Sequence, residues 1–324
     1  MNSTDSIKRN ADLLPSVSVV MGVYNAGDAL DRTIDSILGQ SMTDFELIVV
    51  DDGSTDETPE KLATYAAGDS RIRIVQQKNG GLTSALSRGC EAARAAIIAR
   101  QDAGDISLPT RLQTQFKYLS TLPDVVAVGC GVRRVSEDGD GLGDFSRAGS
   151  PQQVTEALLS DGIGIQHPAS MFRKSAFERV GGYRAQFRFA QDTDLWLRLS
   201  EVGLIGECPE ILFELIVDDH GISATRIDQQ KMLWHLAREC HRARANGTSE
   251  QPFLDEARRI SEEVPRVLSD RQSQRQKRRA QYFIGSQLLE QRNPACRKYL
   301  LRSALEPRLT LTAGWKLLQS LMRT

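Results

Sequence analysis

Apolar and polar positions over the first 110 residues repeat one pattern: a short apolar run, then a longer stretch with apolar residues three and four apart. Val17 to Val23 is rich in β-branched residues and ends at Tyr24-Asn25. After a turn at Ala26-Gly27-Asp28, Leu30, Ile34, Ile37 and Leu38 follow at helical spacing. Phe45 to Val50 is almost continuously apolar, as parallel strands covered on both faces are, and it stops at Asp51-Asp52-Gly53. A helix to about Ala67, a strand from Arg71 to Gln76 and a turn at Asn79-Gly80-Gly81 come next. Leu82, Leu86, Cys90 and Ala93 mark a further helix. The fourth apolar run, Ala96 to Ala99, breaks into Arg100-Gln101-Asp102-Ala103-Gly104-Asp105 before Pro109 opens another helix.

Strand and helix thus alternate four times, which predicts an α/β fold with a doubly wound, mainly parallel sheet. Right-handed crossovers bring the carboxyl ends of such strands to one edge, where open sheets bind ligands. Asn25, Asp51, Asp52 and Asp102 each stand at a strand end. An unpaired charge is too costly to bury, so these acids belong to the rim and not to the core. Asp28 and Asp56 read better as turn and cap residues. Farther on, the pattern predicts a helix from Pro109 to about Leu122, a strand from Val125 to Val128, a mobile Gly-rich hairpin over 139–149 and a helix near Gln152–Ser160. Gln191 to Leu199 starts a helix at Asp192 or Asp194, with Trp196 and Leu199 in the core and Arg198 as an ion-pair partner. No GxxxxGK[ST] and no strand-placed GxGxxG occurs, which disfavours P-loop and dinucleotide-binding readings.

Composition adds a boundary. The net charge of −1 excludes an obvious nucleic-acid binder, but residues 226–324 carry 20 Lys and Arg against 10 Asp and Glu, and the remainder 21 against 32. This split sets a boundary near residue 225, between an α/β unit at 16–225, preceded by a loose arm at 1–15, and a basic helical region at 226–324. The densest basic cluster is Arg275-Gln276-Lys277-Arg278-Arg279, which reads as a solvated helix face or as a contact with an anionic membrane. Trp315, Leu318 and Met322 suit either packing or a short interfacial helix, and packing is the expectation. Five scattered cysteines without a CxxC pair, a polar amino-terminal stretch and no long apolar run suggest a reduced, cytoplasmic protein, peripheral to a membrane at most.

Val17–Asp56, Asn79–Leu112 and His167–Leu199 together resemble family 2 glycosyltransferases of the GT-A fold, over about residues 16–225. The resemblance implies inverting transfer of a sugar from a nucleotide-diphosphate donor to a glycan or lipid-linked acceptor in surface polysaccharide biosynthesis. It implies that Tyr24, Asn25, Asp51, Asp52 and Asp102 contact the donor, with Arg100 beside its diphosphate. Asp192 falls on the acid that deprotonates the acceptor hydroxyl, and His167 and Gln191 lie on the acceptor side. A divalent cation, manganese or magnesium, is implied at Asp102, with Asp105 or His220 as further ligands.

The chain departs from the family pattern at Gly104, where an acid is usual, and at Gln191, where Glu precedes the base. Weak metal binding is therefore expected, and the rival is metal-free transfer with Arg100 or Arg198 steadying the diphosphate. These departures also sustain the alternative of a non-catalytic GT-A-like binding or scaffold subunit, with a nucleotidyltransferase as a third reading. Deleting residues 226–324 is expected to leave nucleotide binding in place.

Overall fold

The computed structural model describes residues 14–147, 149–217, 227–263, 270–306 and 309–322. The strands are β1 (Val17–Val23), β2 (Phe45–Asp51), β3 (Ile72–Gln76), β4 (Ile97–Asp102), β5 (Ile106–Ser107), β6 (Val125–Ser136), β7 (Gly141–Phe145), β8 (Met171–Arg173) and β9 (Leu204–Val217). Between them lie α1 (Ala29–Leu38), α2 (Thr58–Gly68), α3 (Leu82–Ala92), α4 (Arg111–Thr121), α5 (Pro151–Asp161), α6 (Lys174–Arg179) and α7 (Gln191–Leu199). Five more helices follow: α8 (Ile227–Ala245), α9 (Gln251–Glu263), α10 (Asp270–Glu290), α11 (Cys296–Ser303) and α12 (Thr310–Met322).

One sheet runs in the order β3-β2-β1-β4-β8-β6-β9-β5, with β7 paired to β6. β1, β2, β3 and β4 pair in parallel, which puts Val23, Asp51 and Asp102 at one edge: Val23 lies opposite Asp51, and Gly22 opposite Asp102. β8 turns antiparallel between β4 and β6. The strand expected over 125–128 extends to Ser136, and β9 beside it went unread. Gly129 and Gly131 break the apolar run, and β9 pairs with β6 through several register shifts, so neither strand carries a clean period of two.

Side chains alternate across the sheet as a period of two requires. Val20, Ile48, Val50 and Ile98 face a core closed by α3, α5 and α7, while Val19, Met21, Leu47, Val49 and Ala99 face α1 and α4. α3 lies so close to the sheet that a Cβ on Gly89 would sit 2.4 Å from Val20 Cγ1. Leu233, Ala237 and Cys240 of α8, with Leu254, Ala257 and Ile260 of α9, enter the first core. The charge boundary at residue 226 is therefore not a packing boundary. A separate cluster joins Leu142 of β7 to Ile284, Leu288, Tyr299 and Leu300.

The β6–β7 hairpin, expected to be mobile, is held. Tyr299 Oη lies 2.9 Å from Ser136 Oγ, 3.0 Å from Asp138 and 2.9 Å from Asp140, and Lys298 pairs with both acids. The apolar residues of the carboxyl-terminal helices differ in burial. Leu233, Leu288 and Leu300 are buried, but Leu301, Leu305, Leu311, Trp315 and Leu318 are exposed, with Trp315 at 59%. Packing of Trp315 and Leu318 against neighbouring helices is thus not what the structure has. All five cysteines are free and buried, and no helix among the described residues is long and apolar enough to cross a membrane.

Candidate functional site

The rim begins after β1. Asn25 takes a left-handed φ of 51°, which asparagine tolerates better than most residues. Its backbone N–H donates to Ser54 Oγ at 3.0 Å and its Oδ1 accepts from Thr55 N at 2.8 Å, tying the β1 and β2 ends together. Tyr24 beside it is half-exposed.

At the β2 end the two acids differ. Asp51 Oδ1 accepts the Ser54 amide at 2.9 Å. Asp52 has both oxygens engaged, by Gln77 Nε2 and Gly80 N on Oδ1 and by Gly81 N on Oδ2, each at 2.7 Å. Asp52 therefore holds the loop that starts α3.

β4 supplies Arg100 and Asp102. Arg100 is 1% exposed, and its Nη2 lies 2.6 Å from Asp102 Oδ1. Burial of the guanidinium works against its charge, but Asp102 outweighs that and holds its pKa above the ordinary value. Arg100 Nε has no hydrogen bond among the described residues. The Asp102 side chain is 35% exposed.

The turn after Asp102 is fixed from behind. Gly104 has φ 101°, as the turn requires, and its N–H donates to Thr33 Oγ1 at 2.8 Å. Asp105 is buried, and its Oδ1 accepts the Ile216 amide of β9 at 2.8 Å. Asp105 thus anchors β9 to the turn, instead of swinging toward Asp102. Arg111, unread in the sequence, braces the same turn from a fully buried position. It donates to Gln101 Oε1, Ser107 Oγ and the carbonyls of Arg100 and Ser170. Burial lowers its pKa to about 10. Its only sequence signal is its place two residues after Pro109, at the start of α4.

α7 brings the second half of the site. Asp194 is buried between Arg184 and Arg198, with Arg198 Nη2 at 2.6 Å. Arg198 also donates to Val180 O at 2.7 Å, so it serves Asp194 and is not available to a diphosphate. Asp192 has no cation partner among the described residues; the Thr193 amide donates to its Oδ1 at 2.8 Å. Burial raises its pKa above the ordinary carboxylate value. Gln191 is buried, with Oε1 unpartnered among the described residues.

His167 stands in a short 3₁₀ turn, His167–Ala169, at the start of β8. Its Nε2 lies 2.7 Å from Tyr183 Oη, and its ring meets Trp196 edge-on at a centroid distance of 5.8 Å. Burial, then the Arg100 charge, pushes the His167 pKa well below its ordinary value, so the ring is neutral. Burial keeps the Tyr183 hydroxyl protonated, and Asp192 and Asp102 add to that. Arg100, Asp102, His167, Tyr183 and Asp192 thus share one electrostatic environment. Tyr183 went unread as a site residue; its sequence signal is its place directly after Gly181-Gly182.

A metal has a limited donor set here. No group of three His, Cys, Asp or Glu residues suited to an ion occurs among the described residues. His220 lies outside them, and Asp105 is committed to β9. The half-open Asp102 carboxylate alone fits a magnesium- or manganese-type ion that takes one protein carboxylate and shares substrate phosphate oxygens.

The profile of glycosyl transferase family 2 matches residues 18–181. The chain is 33% identical over 203 residues to the O-antigen biosynthesis glycosyltransferase WbnJ of Escherichia coli, covering 62% of this chain and 76% of that one. It is 37% identical over 199 residues to EpsE of Bacillus subtilis, covering 59% and 69%. Among solved structures, a mannosyltransferase of Pyrobaculum calidifontis in complex with GDP-Man and Mn2+ aligns with TM-score 0.55 at 19% identity, over 96% of this chain and 87% of that one. S. aureus TarS 1-349 in complex with UDP aligns with TM-score 0.54 at 13% identity, over 89% and 88%. At such identities these two establish a shared GT-A fold.

Proposed function

Because the chain belongs to glycosyl transferase family 2, and is therefore a glycosyltransferase, we propose that it moves a sugar from a nucleotide-diphosphate donor to a glycan or lipid-linked acceptor with inversion. The observation that carries this reading is Asp192. Among the described residues it is the carboxylate at the start of α7 without an ion-pair partner, and burial raises its proton affinity. Asp194, two residues on, is neutralised by two arginines.

In this reading the acceptor hydroxyl gives its proton to Asp192. Its oxygen bonds the anomeric carbon as the bond from that carbon to the diphosphate oxygen breaks. The nucleoside diphosphate leaves with the electron pair, and a single displacement of this kind inverts the centre. Neutral His167 and Tyr183, 2.7 Å apart, form one wall of the site. Tyr24, Asn25 and Asp51 form the nucleoside side, and Asp52 acts by fixing the Gly80-Gly81 loop. Arg100 balances Asp102 and faces the diphosphate side. Asp102 would hold the divalent ion, which supplies positive charge for the leaving diphosphate. Protein named for O-antigen biosynthesis among the relatives supports a role in surface polysaccharide assembly.

The exposed apolar residues of α11 and α12 support contact with an anionic membrane surface. Arg302 lies beside Leu301, and Lys316 beside Trp315, so basic side chains accompany the apolar ones.

A thermal-shift screen of nucleoside diphosphates with and without manganese tests the donor reading, since a ligand of the folded state raises apparent stability by RT ln(1 + [L]/Kd). One diphosphate should raise the melting temperature, more so with manganese. No shift from any nucleoside diphosphate would overturn the reading. Full sugar transfer in excess chelator would overturn the metal at Asp102 and leave the charge of Arg100 in its place.

A further inference from the structure

A cavity of about 860 Å³ lies between α3, the loop 183–188 and α9. That volume is within the range of small-molecule sites. None of Tyr24, Asn25, Asp51 or Asp102 lines it, so it is distinct from the donor rim, which it borders at Gly80 and Gly81. It is also lined by Tyr183, whose hydroxyl touches His167 and feels the charges of Asp192 and Arg100. Tyr183 therefore links the cavity to the reaction centre.

The walls are polar. α3 contributes Ser84, Ser87 and Arg88, the loop contributes Gln186, and α9 contributes Arg258 and Ser261. Hydroxyl and amide groups of this kind pair with sugar hydroxyls. Glu91 and Glu262 also line the cavity, at helical reach from Arg88 and Arg258 respectively. Neither ion pair closes: Arg88 and Arg258 have no hydrogen bond or ion pair among the described residues. Arg188 adds a third guanidinium to the lining. The α9 wall is fixed, because Ser261 Oγ donates to Gln186 O at 2.8 Å and Leu254, Ala257 and Ile260 are buried in the main core.

We propose that this cavity seats the acceptor, a saccharide bearing an anionic group, held between Arg88 and Arg258. α9 thereby selects the acceptor although it lies beyond the stretch matched by the family. The proposal rests on the glycosyltransferase reading for the word acceptor; the binding of an anionic sugar stands on the cavity itself.

NMR titration of the full chain with glucose 6-phosphate, glucuronate and glucose tests it. A phosphate preference, a carboxylate preference or equal binding of the two anionic sugars, each several-fold above glucose, supports the proposal and tells the two anions apart. The double variant Arg88→Glu with Arg258→Glu should weaken the anionic sugar about three- to tenfold, the size expected for two exposed charge contacts. Both side chains are exposed, so folding is not at risk. The control, Lys277→Glu with Arg279→Glu on the basic stretch of α10, should change nothing. Equal binding of glucose, no effect of the double variant, or an equal loss in the control would each overturn the cavity assignment. Nucleoside diphosphate thermal shifts should stay unchanged throughout; their absence in the unmodified chain would strike the donor reading and leave the sugar titration legible.

Discussion

Asp192 and Asp194 begin the same helix, yet among the described residues only Asp194 is neutralised, by Arg184 and Arg198. Asp192 is left with a pKa raised by burial. A carboxylate of this kind favours the fold below its unfolded pKa, and that contribution is lost as pH rises through the higher folded value. At neutral pH its charge therefore opposes folding. Asp192→Asn should cut transfer by about 10²–10⁴-fold, as loss of a general base does, leave the nucleoside diphosphate shift intact and raise the melting temperature. Retained turnover, or a lower melting temperature, would remove Asp192 from this role. The acid limb of the kcat/KM profile should likewise sit above the ordinary carboxylate range. His167 has the opposite sign. Its folded pKa is lowered, so the stability tied to its neutral form is present above the ordinary histidine value, about 6.5, and is lost as pH falls below it. Melting temperatures from pH 7 to 5.5 should fall more steeply for the unmodified chain than for His167→Asn. The places of Asp51 and Asp102 at strand ends and of Asp192 at a helix start were legible because local pattern and motif order mark them. The partners that decide their states were not, because Arg184 meets Glu250 across 66 positions and Asp105 meets Ile216 across 111.

The turn from Asp102 to Asp105 shows how an element constrains chemistry. A Cβ on Gly104 meets nothing within 4 Å, but the φ of 101° strains any other residue by about 1–3 kcal/mol. Gly104→Asp should thus lower the manganese concentration needed for half-maximal activity and lower the melting temperature together. Asp105→Asn keeps an oxygen for the Ile216 amide and should leave the manganese requirement unchanged. Asp105→Ala strands that amide, at a cost of about 1–3 kcal/mol, which a denaturant melt would register. A manganese requirement that worsens in Asp105→Asn would return Asp105 to the metal. The parallel strands were legible here because each holds a short apolar run that stops at polar residues. β9 and the full length of β6 were not, since glycines and register shifts erase their period.

At the scale of the whole molecule, α8 and α9 belong to the catalytic core while α10, α11 and α12 pack mainly among themselves and on β7. Removing everything after residue 225 uncovers Leu195, Trp196 and their neighbours and takes away Leu233, Leu254 and Ile260. At about 1.5–3 kcal/mol per buried large apolar side chain, a few such losses rival a total stability of about 5–15 kcal/mol. That truncation should fail to fold, against the expectation drawn from charge alone. A chain ending at Glu263 should instead keep its cooperative melt and its nucleoside diphosphate shift but lose co-sedimentation with anionic vesicles. Equal partitioning of the two lengths would end the membrane reading. The charge step at 226 was legible and the packing step was not, because a buried helix stripe looks alike whichever core it joins.

That α9 is built into the core also bears on how such genes can recombine. Two relatives that trade their carboxyl-terminal halves at the compositional step would each inherit α8 and α9 shaped for a foreign sheet. An exchange beyond Glu263 would pass on a new set of terminal helices with little disturbance to the old catalyst. Working hybrids between relatives should therefore have their crossover points on the far side of α9.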